Sequence, residues 1–198
     1  MNQYVDNYFS RYNLLKLVLD PAEPRRVLRH VYCDGKFLTA ASGYRLTAIS
    51  NDDFKLERGF YDLAFTGRGR SRVPTFTRVA NPGTYPEWQR MIPQSEPAMR
   101  LKFYPCDEMQ YGLATQIFTI QLALASRKSG PELINPDFLK DMGQSGLALV
   151  AEIYDSKACP VVFRSMTTPD KLLHLIMPLR VDIGGDLRAV MARAKSNL

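Results

Sequence analysis

A chain of 198 residues that is 45% hydrophobic carries enough apolar material for one packed domain or two small ones, which excludes a disordered chain. Its apolar runs are only a few residues long and the opening MNQYVDNYF has no basic stretch followed by an apolar one, so the sequence predicts neither a membrane span nor a leader and points to the cytoplasm. The net charge of +6 favours anionic partners, nucleic acid foremost, and three dispersed cysteines, Cys33, Cys106 and Cys159, suit a reducing compartment better than a disulfide framework.

In YFSRYNLLKLVLDP the residues Tyr8, Tyr12, Leu15 and Leu19 recur at the spacing of one helical face, and Pro21 stops the helix. RVLRHVYCD and KFLTAAS then read as strands joined at Asp34-Gly35, a strong hairpin signal. YRLTAIS follows the Ser42-Gly43 turn, where glycine supplies positive φ without steric cost, and GFYDLAF at 59–65 is a fourth strand. From Thr66 to Ser126 runs a proline-rich connector with strands at RLKFYP and QIFTIQLAL. Within it Arg68, Arg70 and Arg72 lie in TGRGRSR, a basic loop that either meets phosphates or is simply solvated.

The order then repeats. LINPDFLKDMGQSG has a capping Asn135, Pro136 at the first helical position, an apolar face of Phe138, Leu139 and Met142, and Gly143 at its end. LALVAEIYD, PVVFRSM and LLHLIMPLRV are strands separated by ordinary turn residues. After the Gly184-Gly185 break the tail reads as a short, weakly amphipathic basic helix with Leu187, Val190, Met191 and Ala194 on one side. Such a helix is marginal in water and needs a surface to dock on. The reading is an α+β chain of antiparallel meanders with helices on one face, divided into units 1–82 and 83–182 and a tail 183–198.

Catalytic chemistry is hard to find. His30 and His174 are the only histidines, no Cys or His spacing suits zinc, and there is no phosphate loop or nucleophile elbow. His30 reads as a packed or edge strand residue. The pairs Asp52-Asp53 and Asp107-Glu108 are adjacent in sequence, which in a strand points them apart, and they read as solvated turn charges. No cofactor and no enzymatic activity are expected.

The stretch AASGYRLTA resembles the A-T-D-G-H-R-L-A segment of bacterial replicative sliding clamps, the β subunit of DNA polymerase III. Two further matches follow in the family's order: GTYPEWQRMIP at 83–93 is similar to its G-x-[FY]-P-D-[YF]-R-R-[VI]-[LI]-P linker, and LIMPLRV at 175–181 to its terminal V-V-M-P-M-R-L. PRRVLRHVYCDGKFLTA and INPDFLKDM resemble the strand pair before the turn and the helix that opens the last repeat. Together they cover about half of the chain. The resemblance departs at Ser42 for Asp, Tyr44 for His, Glu87-Trp88-Gln89 for D-Y-R and Leu179 for Met. Family chains have three domains, and this one is much shorter.

The resemblance implies a DNA-clamp-like fold and a processivity role in DNA replication. It also implies a hydrophobic pocket for linear peptide motifs of polymerases, walled by Gly43, Tyr44, Arg45 and Leu46, by Pro86 and Met91 of the linker, and by Leu175, Met177, Pro178 and Leu179 of the last strand. Met177 would serve as adaptable lining, whereas on periodicity alone Leu46, Leu175, Met177 and Leu179, which alternate within strands, read as core residues. Family helices line a bore around duplex DNA, which nominates Arg11 and Lys16 on the first helix and Lys140 on the second as phosphate contacts beside the arginines of the basic loop. Ring closure would take about three or about six copies, depending on whether the chain makes two truncated domains or one. A non-ring module that regulates the replication machinery and a small basic DNA-binding protein are the rivals.

Overall fold

Tyr12, Leu14, Leu15 and Val18 are each at most 1% exposed, and this apolar face sets helix α1 (Tyr8–Val18) against a sheet. The computed structural model describes residues 8–68, 72–104, 110–130 and 132–179. Besides α1 these residues form α2 (Gln110–Ala125) and α3 (Pro136–Gln144). The strands are β1 (Val31–Cys33), β2 (Phe37–Ala41), β3 (Arg45–Ser50), β4 (Gly59–Thr66), β5 (Val73–Val79), β6 (Met99–Phe103), β7 (Leu149–Ile153), β8 (Val161–Ser165) and β9 (Leu172–Ile176). All pair antiparallel in one sheet of order β5-β4-β1-β2-β3-β9-β8-β7-β6. The α+β architecture with helices on one face is therefore the observed one.

The register from Arg45↔Ile176 to Ile49↔Leu172 stitches the first half of the chain to the last strand. Strict alternation then gives the sheet two different faces. On one, Tyr12, Leu15, Ile120, Leu124, Leu139 and Met142 of the helices meet Leu38, Ile49, Phe103, Phe163 and Ile176 in a single core. Gly143 faces α2, where any Cβ would stand 2.5 Å from Leu113, so the glycine permits the close approach of α2 and α3. On the other face the segment 83–92 lies across β1 and β2. Tyr85 stacks on Tyr32 at 4.7 Å between centroids, and Trp88 meets Phe37 edge-on at 5.5 Å. Gln89 Nε2 also donates to Asp34 Oδ2 at 3.0 Å.

Four local expectations change. RVLRHVYCD is a 3-10 turn at Arg26–Arg29 before a three-residue strand. There Arg25 Nε donates to Glu23 Oε1 and Arg29 Nε to the Glu23 carbonyl, both at 2.6 Å, which curls the chain around Glu23. QIFTIQLAL belongs to α2 instead of a strand, because Leu113, Ile117, Ile120 and Leu124 fall on one helical side that packs into the core, and burial outweighs β-propensity. The connector after Thr66 contains β5, an edge strand that accommodates Pro74. Helix α3 continues past Gly143 to Gln144, and Gly146, at φ +77°, takes the left-handed position just beyond it. The Asn135 cap and Pro136 start are as expected, Asn135 accepting from the Asp137 amide.

A buried ion pair fastens the end of α2. Arg127 Nη1 donates to Glu132 Oε2 at 2.5 Å with both side chains under 10% exposed, and Glu132 Oε1 accepts from the Ala158 amide at 2.7 Å.

Candidate functional site

Strand β3 divides the sequence-nominated residues between the two faces. The preceding turn is held by Ser42, whose hydroxyl accepts from the amides of Tyr44 and Arg45 at 3.4 and 3.2 Å, while its own amide donates to the Arg45 carbonyl at 2.8 Å. Gly43 keeps a φ outside the left-handed region, so this turn rests on the serine hydroxyl and not on glycine's freedom.

Leu46 points to the linker face, directly opposite Leu175 of β9, and both are at most 1% exposed. They share one apolar cluster with Tyr85 and Trp88 of the linker, Leu173, Val162 and Tyr154. The Met177 amide donates to the Tyr44 carbonyl at 2.8 Å, tying the end of β9 to the turn. The turn, the linker and the final strand, far apart in sequence, are thus brought to one face. Of the other nominated residues, Tyr44, Met91 and Leu179 are 55%, 40% and 38% exposed, Pro86 is exposed, and Met177 and Pro178 are half-buried. Leu179 is further held by its amide donating to the Leu133 carbonyl at 2.6 Å.

Arg45 turns away from this surface. Its Nη1 donates to Asp141 Oδ2 and its Nη2 to the Leu17 carbonyl, each at 2.7 Å, and its guanidinium lies 4.2 Å from the Phe138 ring centroid. The expectation that Arg45 meets a ligand at a pocket rim is corrected: alternation along β3 sends it to the helix side, where it clamps α1 to α3. Beside it His174, 2% exposed, shares a 2.7 Å hydrogen bond between Nδ1 and Thr47 Oγ1, and desolvation, with the Arg45 charge adding to it, lowers its pKa to about 3. The sequence held a signal for this histidine, since LLHLI places it in phase with the core residues Leu172 and Ile176. His30 lies just before β1, its Nδ1 2.7 Å from Asp62 Oδ1.

Sequence reasoning also missed Glu152. It lies opposite Arg100 on β6 and accepts from Arg164 Nε at 3.1 Å and Tyr154 OH at 3.0 Å. Burial, then the bond to Glu152, pushes the Tyr154 phenol up to about 12. Burial likewise raises the thiols of Cys33 and Cys159, which disfavours thiolate chemistry.

The nominated cations are spread out. Lys16 is exposed with Nζ 3.4 Å from the Leu63 carbonyl, Lys140 pairs with Asp137 at 2.8 Å, and Arg11 is half-buried. Arg68 and Arg72 are exposed at the β4–β5 hairpin, whereas Arg70 lies outside the described residues, as do Asp107-Glu108 and the tail. Asp52 and Asp53 are exposed turn residues, but Lys171 pairs with Asp52 at 3.1 Å and Tyr12 OH donates to Asp53 at 2.9 Å. Among the described residues no group of three His, Cys, Asp or Glu side chains could hold a metal ion, and no helix is long and apolar enough to cross a membrane.

No protein-family model and no curated protein sequence matches the chain. Solved structures do. A DNA polymerase sliding clamp from Pseudomonas aeruginosa superposes with a TM-score of 0.55 at 12% identity over 87% of this chain, and the Caulobacter crescentus beta sliding clamp with 0.54 at 14% identity, also over 87%. At such identities the likeness is one of fold. The chain spans 64% and 63% of the length of those two clamps.

Proposed function

We propose that this protein is a compact sliding-clamp-like accessory factor of DNA replication, without catalytic activity, that captures short linear motifs of DNA polymerases or other replication proteins. The observation that carries the reading is the meeting of three separated segments on one sheet face, with Leu46 paired to Leu175, the Met177 amide bonded to the Tyr44 carbonyl, and the linker's Tyr85 and Trp88 in the same cluster. In this reading Leu46 and Leu175 form the floor of the site. Gly43, Tyr44, Pro86, Met91, Met177, Pro178 and Leu179 form its rim, whose exposed methionine and tyrosine suit apolar peptide side chains. Arg11, Lys16, Lys140 and, from the basic TGRGRSR sequence, Arg68, Arg70 and Arg72 would screen phosphates of duplex DNA if copies close into a ring, a contact that positions without reading bases. Units 1–82 and 83–182 serve as two truncated clamp halves sharing one sheet.

The test is binding of a fluorescent peptide carrying a Gln followed by spaced Leu and Phe. Met177→Asp should weaken it at least about a hundredfold, since a carboxylate would be desolvated against the peptide's apolar groups, and the melting curve should stay close to that of the parent. Unchanged affinity in the folded variant would refute the pocket.

A second reading, a non-ring module that regulates the replication machinery, is favoured by one feature: α2, QYGLATQIFTIQLALA, carries no charged side chain. A helix facing phosphates would gain from lysine or arginine. Light scattering at micromolar concentration separates the two, a trimer or larger favouring the ring and a monomer or dimer the module.

A further inference from the structure

A fourth segment meets the turn, the linker and the final strand, and none of the three motifs contains it. In PAEPRRVLRH at 21–30 the 3-10 turn Arg26–Arg29 sets Leu28, 2% exposed, into the apolar cluster of Leu46, Leu175, Tyr85 and Trp88, with Val27 packed against that cluster. Two close approaches fix its place. A Cβ at Gly83, where the linker begins, would stand 3.2 Å from Val27 Cγ1, and one at Gly43 would stand 3.8 Å from Arg25 Nη2. Leu28 is thus buried with the floor residues while the Arg25 guanidinium lies beside the Ser42-Gly43 turn.

Charge is unbalanced on this segment. It carries Arg25, Arg26 and Arg29 against one carboxylate, Glu23, which is 9% exposed and accepts from the Arg25 amide at 3.4 Å and from Arg25 Nε at 2.6 Å. Arg29 Nε is taken by the Glu23 carbonyl. Both guanidinium groups are therefore held at their Nε edge, and their Nη atoms have no partner among the described residues; Arg26 makes no hydrogen bond or ion pair there. The Arg25 side chain is 55% exposed, and Arg26 and Arg29 are exposed as well. A guanidinium fixed at one edge offers its remaining N–H fork to a carboxylate with less ordering left to lose.

We propose that Arg25, with Arg26 and Arg29 beside it, selects linear motifs flanked by acidic residues, an Asp or Glu of the peptide meeting the arginines next to Gly43. The inference rests on the peptide-site reading and adds the chemistry of the partner. An acidic peptide fits better than a phosphate backbone, because these arginines border an apolar cluster and the exposed Tyr44, a surface that suits a chain carrying apolar and acidic side chains together.

The test compares versions of the Gln, Leu and Phe peptide that carry two aspartates or two asparagines on either flank, on the full chain and on Arg25→Gln/Arg26→Gln. At about 50 mM salt the aspartate version should bind roughly fivefold tighter than the asparagine one, the factor that two exposed ion pairs give, and near about 500 mM the preference should shrink to within about twofold. The double variant should lose the preference and bind the asparagine peptide as the parent does. Arg26→Gln alone disturbs no bond to Glu23, so it keeps the test valid if the double variant fails to fold, and it should cut the preference to about twofold. Equal dissociation constants for the two peptides on the parent would overturn the proposal and leave the peptide site standing, whereas failure of every peptide to bind would overturn both. Binding of a short DNA duplex that weakens in the double variant, with no aspartate preference, would also overturn it and assign the arginines to phosphates.

Discussion

On its helix side the sheet is sealed by three helices whose Tyr12, Leu15, Ile120, Leu124, Leu139 and Met142 are at most 1% exposed, whereas on the other side its cover is the segment 83–92, and Tyr44 and Met91 stay 55% and 40% exposed. Both faces are apolar. They differ in closure: the helix side uses its polar groups to lock elements together, as Arg45 does with Asp141 and the Leu17 carbonyl, while the linker side keeps Tyr44 and Met91 in solvent. Adjacent residues of β3 show the division, since Arg45 serves stability and Leu46 floors the proposed site. Mutations on the helix side should therefore change stability and spare peptide binding, and rim mutations should do the reverse.

The strongest way to break this comparison is a cavity in the sealed face. Phe163→Ala removes a ring that is fully buried and packed edge-on against Phe103 at 5.7 Å, and it should lower unfolding free energy by about 3–5 kcal/mol in urea titrations. A loss under about 1 kcal/mol would mean that this core collapses readily and is no more closed than the other face.

Next in size is Arg45→Met, which removes hydrogen bonds to a carboxylate and a carbonyl and leaves Asp141 without its partner. The expected cost is about 2–3 kcal/mol, with peptide affinity held within about twofold because the two sites lie on opposite faces. A large fall in affinity with unchanged stability would return Arg45 to the pocket.

The smallest effect follows from pH. His174 is held down to about 3 in the folded protein against 6.5 in the ordinary case, so the unfolded chain takes up its proton first as pH falls. Its contribution is whole above pH 6.5 and is lost progressively toward pH 3. Between pH 7 and pH 5 this residue should lower stability by about 2 kcal/mol, and His174→Gln should abolish that component of the pH profile. An identical profile in the variant would show that His174 is accessible to protons in the native state.

Sequence by itself determined the pieces whose signals are local. The Asp34-Gly35 hairpin, the Asn135-Pro136 helix start and the strands β3, β4, β8 and β9 follow from turn chemistry and from short β-prone runs between turns, signals that act over a few residues. The order of the three motifs also suggested a common site, and their segments do share a sheet face. Tertiary structure alone decided the rest. Residues 116–124 carry strand-like composition yet form helix α2, because a core offered burial to the helical side formed by Ile117, Ile120 and Leu124. The face taken by Arg45 depended on the register of β3 against β9, a pairing of residues more than a hundred positions apart, and that register separates a clamp of the core from the floor of a site.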